Sequence, residues 1–231
     1  MRRAAALAPV SRHLTQQIRD VLPDLAESRF TPVPVPFDAR VFFPGPSIKP
    51  TGAASIVCVA GLSRAKGTDV LLQALADRRD GWTLSLVGGG DPESYRSLAA
   101  DLGIADRVRF HGAMPRPAVA RIVRAADFVV LPSLGETFGC VLVEALASGK
   151  PVVATRCGGP EEIVTADSGL LAEPGDVTDL ARCLDEMLAC YRDYEPSALA
   201  ESARARFGDD VVADRLERLY EVISRESVTI G

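Results

Sequence analysis

Two glutamates eight positions apart, Glu136 and Glu144, frame the stretch ETFGCVLVEALASGKP, where this chain carries its most suggestive chemistry. Pro132-Ser133-Leu134-Gly135 reads as a loop, followed by a helix from Gly139 to about Ser148, with Gly149 and Pro151 as stop signals. The first amides of such a helix have no internal partner and carry the positive end of its dipole, which suits a phosphate. Gly139 lacks the side chain that would keep a ligand off the backbone. Glu144 stands among Val141, Leu142, Val143, Ala145, Leu146 and Ala147, and a helix apolar almost all round is a buried one. A buried carboxylate needs donors, and a ribose diol offers two hydroxyls. The spacing, roughly 12 Å at helical rise, suits one carboxylate at a sugar and the other at a ribose, with a diphosphate between. The plainer alternative is a dipole-stabilising Glu136 and an exposed Glu144.

These residues need a frame. From Ile56 onward, apolar β-branched runs alternate with amphipathic stretches. The expected strands are Ile56–Ala60, Thr83–Val87, Val108–His111, Phe128–Leu131 and Val152–Thr155; the expected helices are Thr68–Arg79, Glu93–Leu102, Arg116–Ala126 and Gly139–Ser148. Crossovers of this length make right-handed βαβ units, so the fold class is α/β: a doubly wound parallel, Rossmann-like sheet. Ligands on such sheets bind at the carboxyl ends of the strands. After Pro174-Gly175 the strands are expected to stop, and Val177–Ala189, Pro196–Ala205 and Asp209–Ser224 read as helices, a helical C-terminal extension. The expected division is 1–50, one helix over Ser11–Val21 plus a proline-punctuated linker (Thr31–Pro36, Pro44–Pro50); 51–205, the ligand-binding domain; and 206–231, a terminal helix whose Leu216, Leu219 and Val222 stripe needs a cover.

Bulk properties narrow the function classes. The net charge of −5 gives no general field for nucleic acid, and none is expected as a partner. Cys58, Cys140, Cys157, Cys183 and Cys190 include no CxxC pair, and His13 and His111 sit at no ligand spacing; the thiols read as reduced and no metal site is expected. The pairs Glu161-Glu162 and Asp209-Asp210 read as solvated helix ends. Met1-Arg2-Arg3 followed by Ala4–Leu7 only faintly imitates a signal peptide, because Pro9, Ser11 and Arg12 stop the apolar run. No stretch approaches the ~18 apolar residues of a transmembrane segment. The expected location is cytoplasmic, at most peripheral to a membrane.

The segment resembles the E-x7-E signature of the retaining glycosyltransferases of family 4, which have the two-domain GT-B fold. The match takes in E-x-F-G before the helix, E-A-x-A-x-G-x-P-V-V after it, GGPEEIV at Gly158–Val164, Gly169-Leu170-Leu171 before Pro174-Gly175-Asp176, VRFHG at 108–112 and ADFVVLPS at 126–133. It runs over nearly all of Ile56–Ile223 and implies the C-terminal, donor-binding half of the fold. By that resemblance Glu136 would contact the donor sugar and Glu144 the ribose. The segment Thr137, Phe138, Gly139, Cys140 and Val141 would hold the sugar and distal phosphate. Lys66 would neutralise the diphosphate, and the loop from His111 to Met114 would frame the base. The donor would be a UDP-, GDP- or ADP-sugar, with no other cofactor.

Two departures qualify the resemblance. The family commonly reads G-R-L-x-x-x-K-G, and here Gly61 stands at the arginine position; Arg64 of the same loop either replaces it or is a solvated loop arginine. The family's acceptor-binding domain is not visible: Val10-Ser11 through Val21 and VPVPFDARVF at 33–42 resemble only its last helix and the linker, with Val35-Pro36 in place of Asn-Gly. The expected function is transfer of a hexose with retention, the acceptor wall coming from a partner subunit or a homodimer. The alternative is a non-catalytic nucleotide-sugar-binding module or inactive derivative; an epimerase-like relative fits the E-x-F-G signature less well.

Overall fold

The computed structural model describes residues 4–45, 52–78 and 81–229, with side chains to 225. Met1–Arg3, most of the Pro44–Pro50 linker and the Arg79 helix end therefore lie outside the described residues. Six strands form one parallel sheet: β1 Ala54–Val59, β2 Trp82–Val87, β3 Val108–Gly112, β4 Phe128–Leu131, β5 Val152–Thr155 and β6 Gly169–Ala172. Their order is β3-β2-β1-β4-β5-β6. The chain builds outward from β1 to β3, then crosses back to lay β4 on the other side of β1. That reversal opens a crevice between the loops that follow β1 and β4.

The period-2 alternation of the strands divides two cores. Val57, Val129, Leu131, Val152 and Ala154 face one side, with helices α4 Arg116–Ala125, α5 Cys140–Ala147 and α8 Pro196–Phe207. Ile56, Cys58, Phe128, Val130 and Val153 face the other, with α2 Thr68–Ala76, α3 Glu93–Asp101 and α7 Val177–Cys190. Helix α5 is apolar almost all round because it lies between the sheet and α8. All five cysteines are free thiols, and burial pushes the Cys58 thiol up to about 12, so it serves as packing.

The sheet holds one strand more than the sequence suggests. Gly169-Leu170-Leu171-Ala172 pairs with β5 as the edge strand β6; four residues beside a turn carry too little periodicity to stand out. The N-terminal segment is more than linker. Helix α1 (Arg12–Val21) docks on the body, and after it the extended chain buries Val33, Phe37 and Phe42, the last two within the α5-side core. Arg124 of α4 fastens this run by donating to the Val41 carbonyl at 2.7 Å and lying over the Phe43 ring. The last helix, α9 (Asp209–Thr229), buries Val212, half-buries Leu216 and Leu219, and exposes Tyr220 and Val222.

Candidate functional site

The crevice brings together residues 70 positions apart. After β1 the chain turns through Arg64–Lys66 into Gly67, whose φ of 65° is left-handed. A Cβ there would stand 2.0 Å from the Pro132 carbonyl oxygen, so only glycine lets the β1 and β4 loops meet. Leu134 N–H donates to the Ala65 carbonyl at 2.9 Å and ties them. Lys66 Nζ then lies 2.6 Å from Glu136 Oε2, the side chains 32% and 17% exposed. Ser133 Oγ lies 3.4 Å from the same oxygen. Glu136 is also pinned through its backbone: its N–H donates to Cys157 O (3.2 Å) and its C=O accepts from Gly159 N–H (2.8 Å).

Past Glu136, Gly139 takes φ 99° and caps α5. No side chain caps the first turn, which leaves its amides to a ligand. A cavity of about 340 Å³ opens here, lined by Lys66, the Glu136–Val141 segment and an apolar wall that includes Val10, Val35, Val59 and Leu131. Cys140 is exposed at this helix start, and partial desolvation with the nearby Glu144 and Glu136 carboxylates pushes its thiol up, against the usual effect of a helix start.

Glu144 is half-buried among its apolar neighbours, with its side chain 13% exposed. Burial pushes its pKa up, and the charge and hydrogen bond of Arg116, 2.5 Å away, pull it back. The exposed Arg116 guanidinium also stands 5.5 Å from the centroid of the Phe42 ring. Nothing in the sequence marked Arg116, because it lies on a different helix. Met114 is half-buried against the α5-side core in the β3–α4 loop, while Thr137, Gly61 and Arg64 are exposed. Gly88-Gly89-Gly90 after β2 forms a close-packed βα turn, in which Gly88 and Gly90 are needed where the chain crosses Ala60 and Leu62. Glu161 and Glu162 are not merely solvated ends: Glu162 accepts the His13 N–H at 3.0 Å and Glu161 the Gly158 N–H at 3.2 Å. Among the described residues no three His, Cys, Asp or Glu side chains gather to hold a metal.

Gly61 gives a direct test of the first departure. Its φ is not left-handed, and a Cβ would meet only Gly89 O at 3.7 Å. Gly61→Arg is therefore expected to fold normally and to tighten nucleoside diphosphate binding about tenfold by calorimetry, the worth of one charge-assisted contact. Unchanged affinity would mean that the loop's charge is already supplied, with Arg64 the candidate.

A sheet with its crevice at the switch point, a fixed acid–base pair and an uncapped helix start defines a Rossmann-like domain. Residues 42–206 match the family model described as glycosyl transferases group 1, and the chain belongs to that family. It is 38% identical over 181 residues to a D-inositol 3-phosphate glycosyltransferase of Corynebacterium jeikeium, covering 71% of this chain and 42% of that one. It is 37% identical over 186 residues to the enzyme of that description in Thermomonospora curvata, with shares of 74% and 43%. The chain thus spans about two fifths of the length of the curated relatives it matches. A sucrose-phosphate synthase from Thermosynechococcus elongatus superposes with a TM-score of 0.85 at 26% identity, over 96% of this chain and 59% of the other. An Anabaena protein solved with UDP-glucose has the same fold (TM-score 0.80, 24% identity, 96% and 64%). The architecture is that of the Rossmann-like domains of GT-B glycosyltransferases. Among the described residues no helix is long and apolar enough to cross a membrane.

Proposed function

We propose that this chain binds a nucleoside diphosphate sugar and forms the donor-binding, C-terminal half of a retaining family 4 glycosyltransferase of GT-B fold. The observation that carries the reading is the Lys66–Glu136 pair held at the switch point beside the uncapped start of α5. Lys66 would swing from Glu136 to the diphosphate, and Glu136 would accept hydroxyls of a hexose. Amides at the start of α5 would hold the distal phosphate. Arg64 and Met114 would lie at the nucleotide's flanks, and Glu144 would accept the ribose hydroxyls. In the transfer, the bond between the sugar's anomeric carbon and the phosphate oxygen breaks as the acceptor oxygen bonds to that carbon on the same face. The acceptor proton passes to the departing phosphate, so the chemistry balances without a further base. We assign residues 51–205 to the donor domain and 206–231 to the terminal helix. Residues 1–50 then correspond to the last helix and linker on the acceptor side, and the acceptor wall is supplied by residues other than these 231.

Calorimetric titration with UDP, GDP and ADP tests the donor reading. Wild type is expected to bind at least one, and Glu144→Ala to weaken it about 30-fold, or about 2 kcal/mol, the value of one hydrogen bond to a charged group. The sign of the pH dependence follows from burial. Glu144 titrates above the usual glutamate range and accepts two hydroxyls only when ionised, so wild-type affinity rises as pH climbs through that elevated range. Glu144→Gln is expected to remove this rise. Failure of all three nucleotides at millimolar concentration would sink the reading. A second reading, a binding module without turnover, is favoured by Gly61 in place of the family's arginine. It predicts nucleotide binding with no hydrolysis of any sugar nucleotide.

A further inference from the structure

A contact to the site that has no role so far comes from the N-terminal segment, outside the residues that match the family model. Ser11, 3% exposed, is the N-cap of α1. Its hydroxyl accepts the Leu14 N–H at 2.9 Å and donates to the Thr137 carbonyl at 2.5 Å. A hydroxyl has one proton, so its donor capacity is wholly given to Thr137. The same turn is fastened to the opposite side of the crevice loops. Glu162 accepts the His13 N–H, and the His13 ring fills the space beside Gly158 that a Cβ would need, 2.4 Å away. Gly158 in turn bridges to Glu136. The first turn of α1 therefore touches both loops that present the Glu136 carboxylate, and Val10 just before it lines the cavity.

We propose that Ser11 is a positioning residue for the sugar–diphosphate end of the donor site. The peptide unit is planar and trans, so holding the Thr137 carbonyl also fixes the direction of the Phe138 N–H. It thereby sets the path of the chain from Glu136 into the first turn of α5. The ribose end is independent of this contact, because Glu144 lies a full turn into α5 and takes its partner from α4. The proposal rests on the donor-site reading above.

Ser11→Gly separates positioning from capping. Glycine is a competent N-cap, adds no volume and removes the hydroxyl. Calorimetry would compare wild type, Ser11→Gly and Ser11→Thr, using whichever of UDP, GDP and ADP the wild type binds, together with the matching monophosphate. Ser11→Gly is expected to weaken the diphosphate about fivefold and the monophosphate by less than about twofold, with Ser11→Thr restoring the wild-type value. Equal weakening of both nucleotides, or none, would overturn the positioning role while leaving the donor site in place. Wild type that binds no nucleotide at all would overturn the donor-site reading and this role with it.

Discussion

Replacing Lys66 by alanine is expected to weaken nucleoside diphosphate binding about 100-fold while changing monophosphate binding by less than about threefold. The size follows from what remains. Glu136 is held by two backbone hydrogen bonds and a buried serine hydroxyl, so it cannot move away when Nζ is removed. Its carboxylate would then face the diphosphate with no cation beside it, adding repulsion to the lost attraction. Truncating one member of a buried pair costs about 2–5 kcal/mol, and Lys66 is a third exposed, so water places the effect near the lower part of that range. The double variant Lys66→Ala/Glu136→Gln should recover part of the loss, because the repulsive charge is gone. Added salt should weaken wild type more than Lys66→Ala. Calorimetry of the three proteins decides it. Unchanged diphosphate affinity in Lys66→Ala would make the lysine a structural counterion only.

Gly159→Ala should reduce both stability and binding. Gly159 has ordinary right-handed backbone angles, φ −52° and ψ −39°, so conformational freedom is not the issue. A Cβ there would stand 2.3 Å from Phe138 Cα and 2.5 Å from Phe138 N and O, all backbone atoms that cannot rotate aside. The two loops must separate, breaking the Gly159 N–H to Glu136 C=O bond and loosening the T-shaped packing of Phe138 on Phe207. Overpacking together with a lost buried hydrogen bond is expected to cost about 3 kcal/mol in chemical denaturation. The folded fraction should also lose diphosphate-sugar affinity, because Glu136 moves with the loop. Gly135→Ala, four residues before Gly139 in the same loop, meets nothing within 4 Å and should stay within about 0.5 kcal/mol of wild type. Equal stability of the two variants would show that the loops are not packed as described.

Much of this frame was legible in the chain. Strands β4 and β5 and most of β1 are apolar runs rich in Val and Ile, and such runs have few alternatives in a buried parallel sheet. The neighbours of Glu144 favoured its burial over an exposed position, and the side chain is largely covered, since an apolar helix offers it little wet face. Edge strand β6 was not legible, because four residues hold too little pattern, and Pro-rich 31–36 read as linker although the residues around it are core. Prolines report local backbone, not whether the chain they shape lies on a surface or under a helix.

The sequence by itself determined five of the six strands, most of the helices between them, and the placing of two carboxylates around a helix start, because these depend on periods of two and 3.6 residues within one segment. Only the tertiary structure decided the partners: Lys66 for Glu136 across 70 positions, Arg116 for Glu144 across 28 and Ser11 for the Thr137 carbonyl across 126. Those pairings depend on strand order, on the close approach that Gly67 and Gly159 allow, and on where the N-terminal helix docks, none of which has a local period to read.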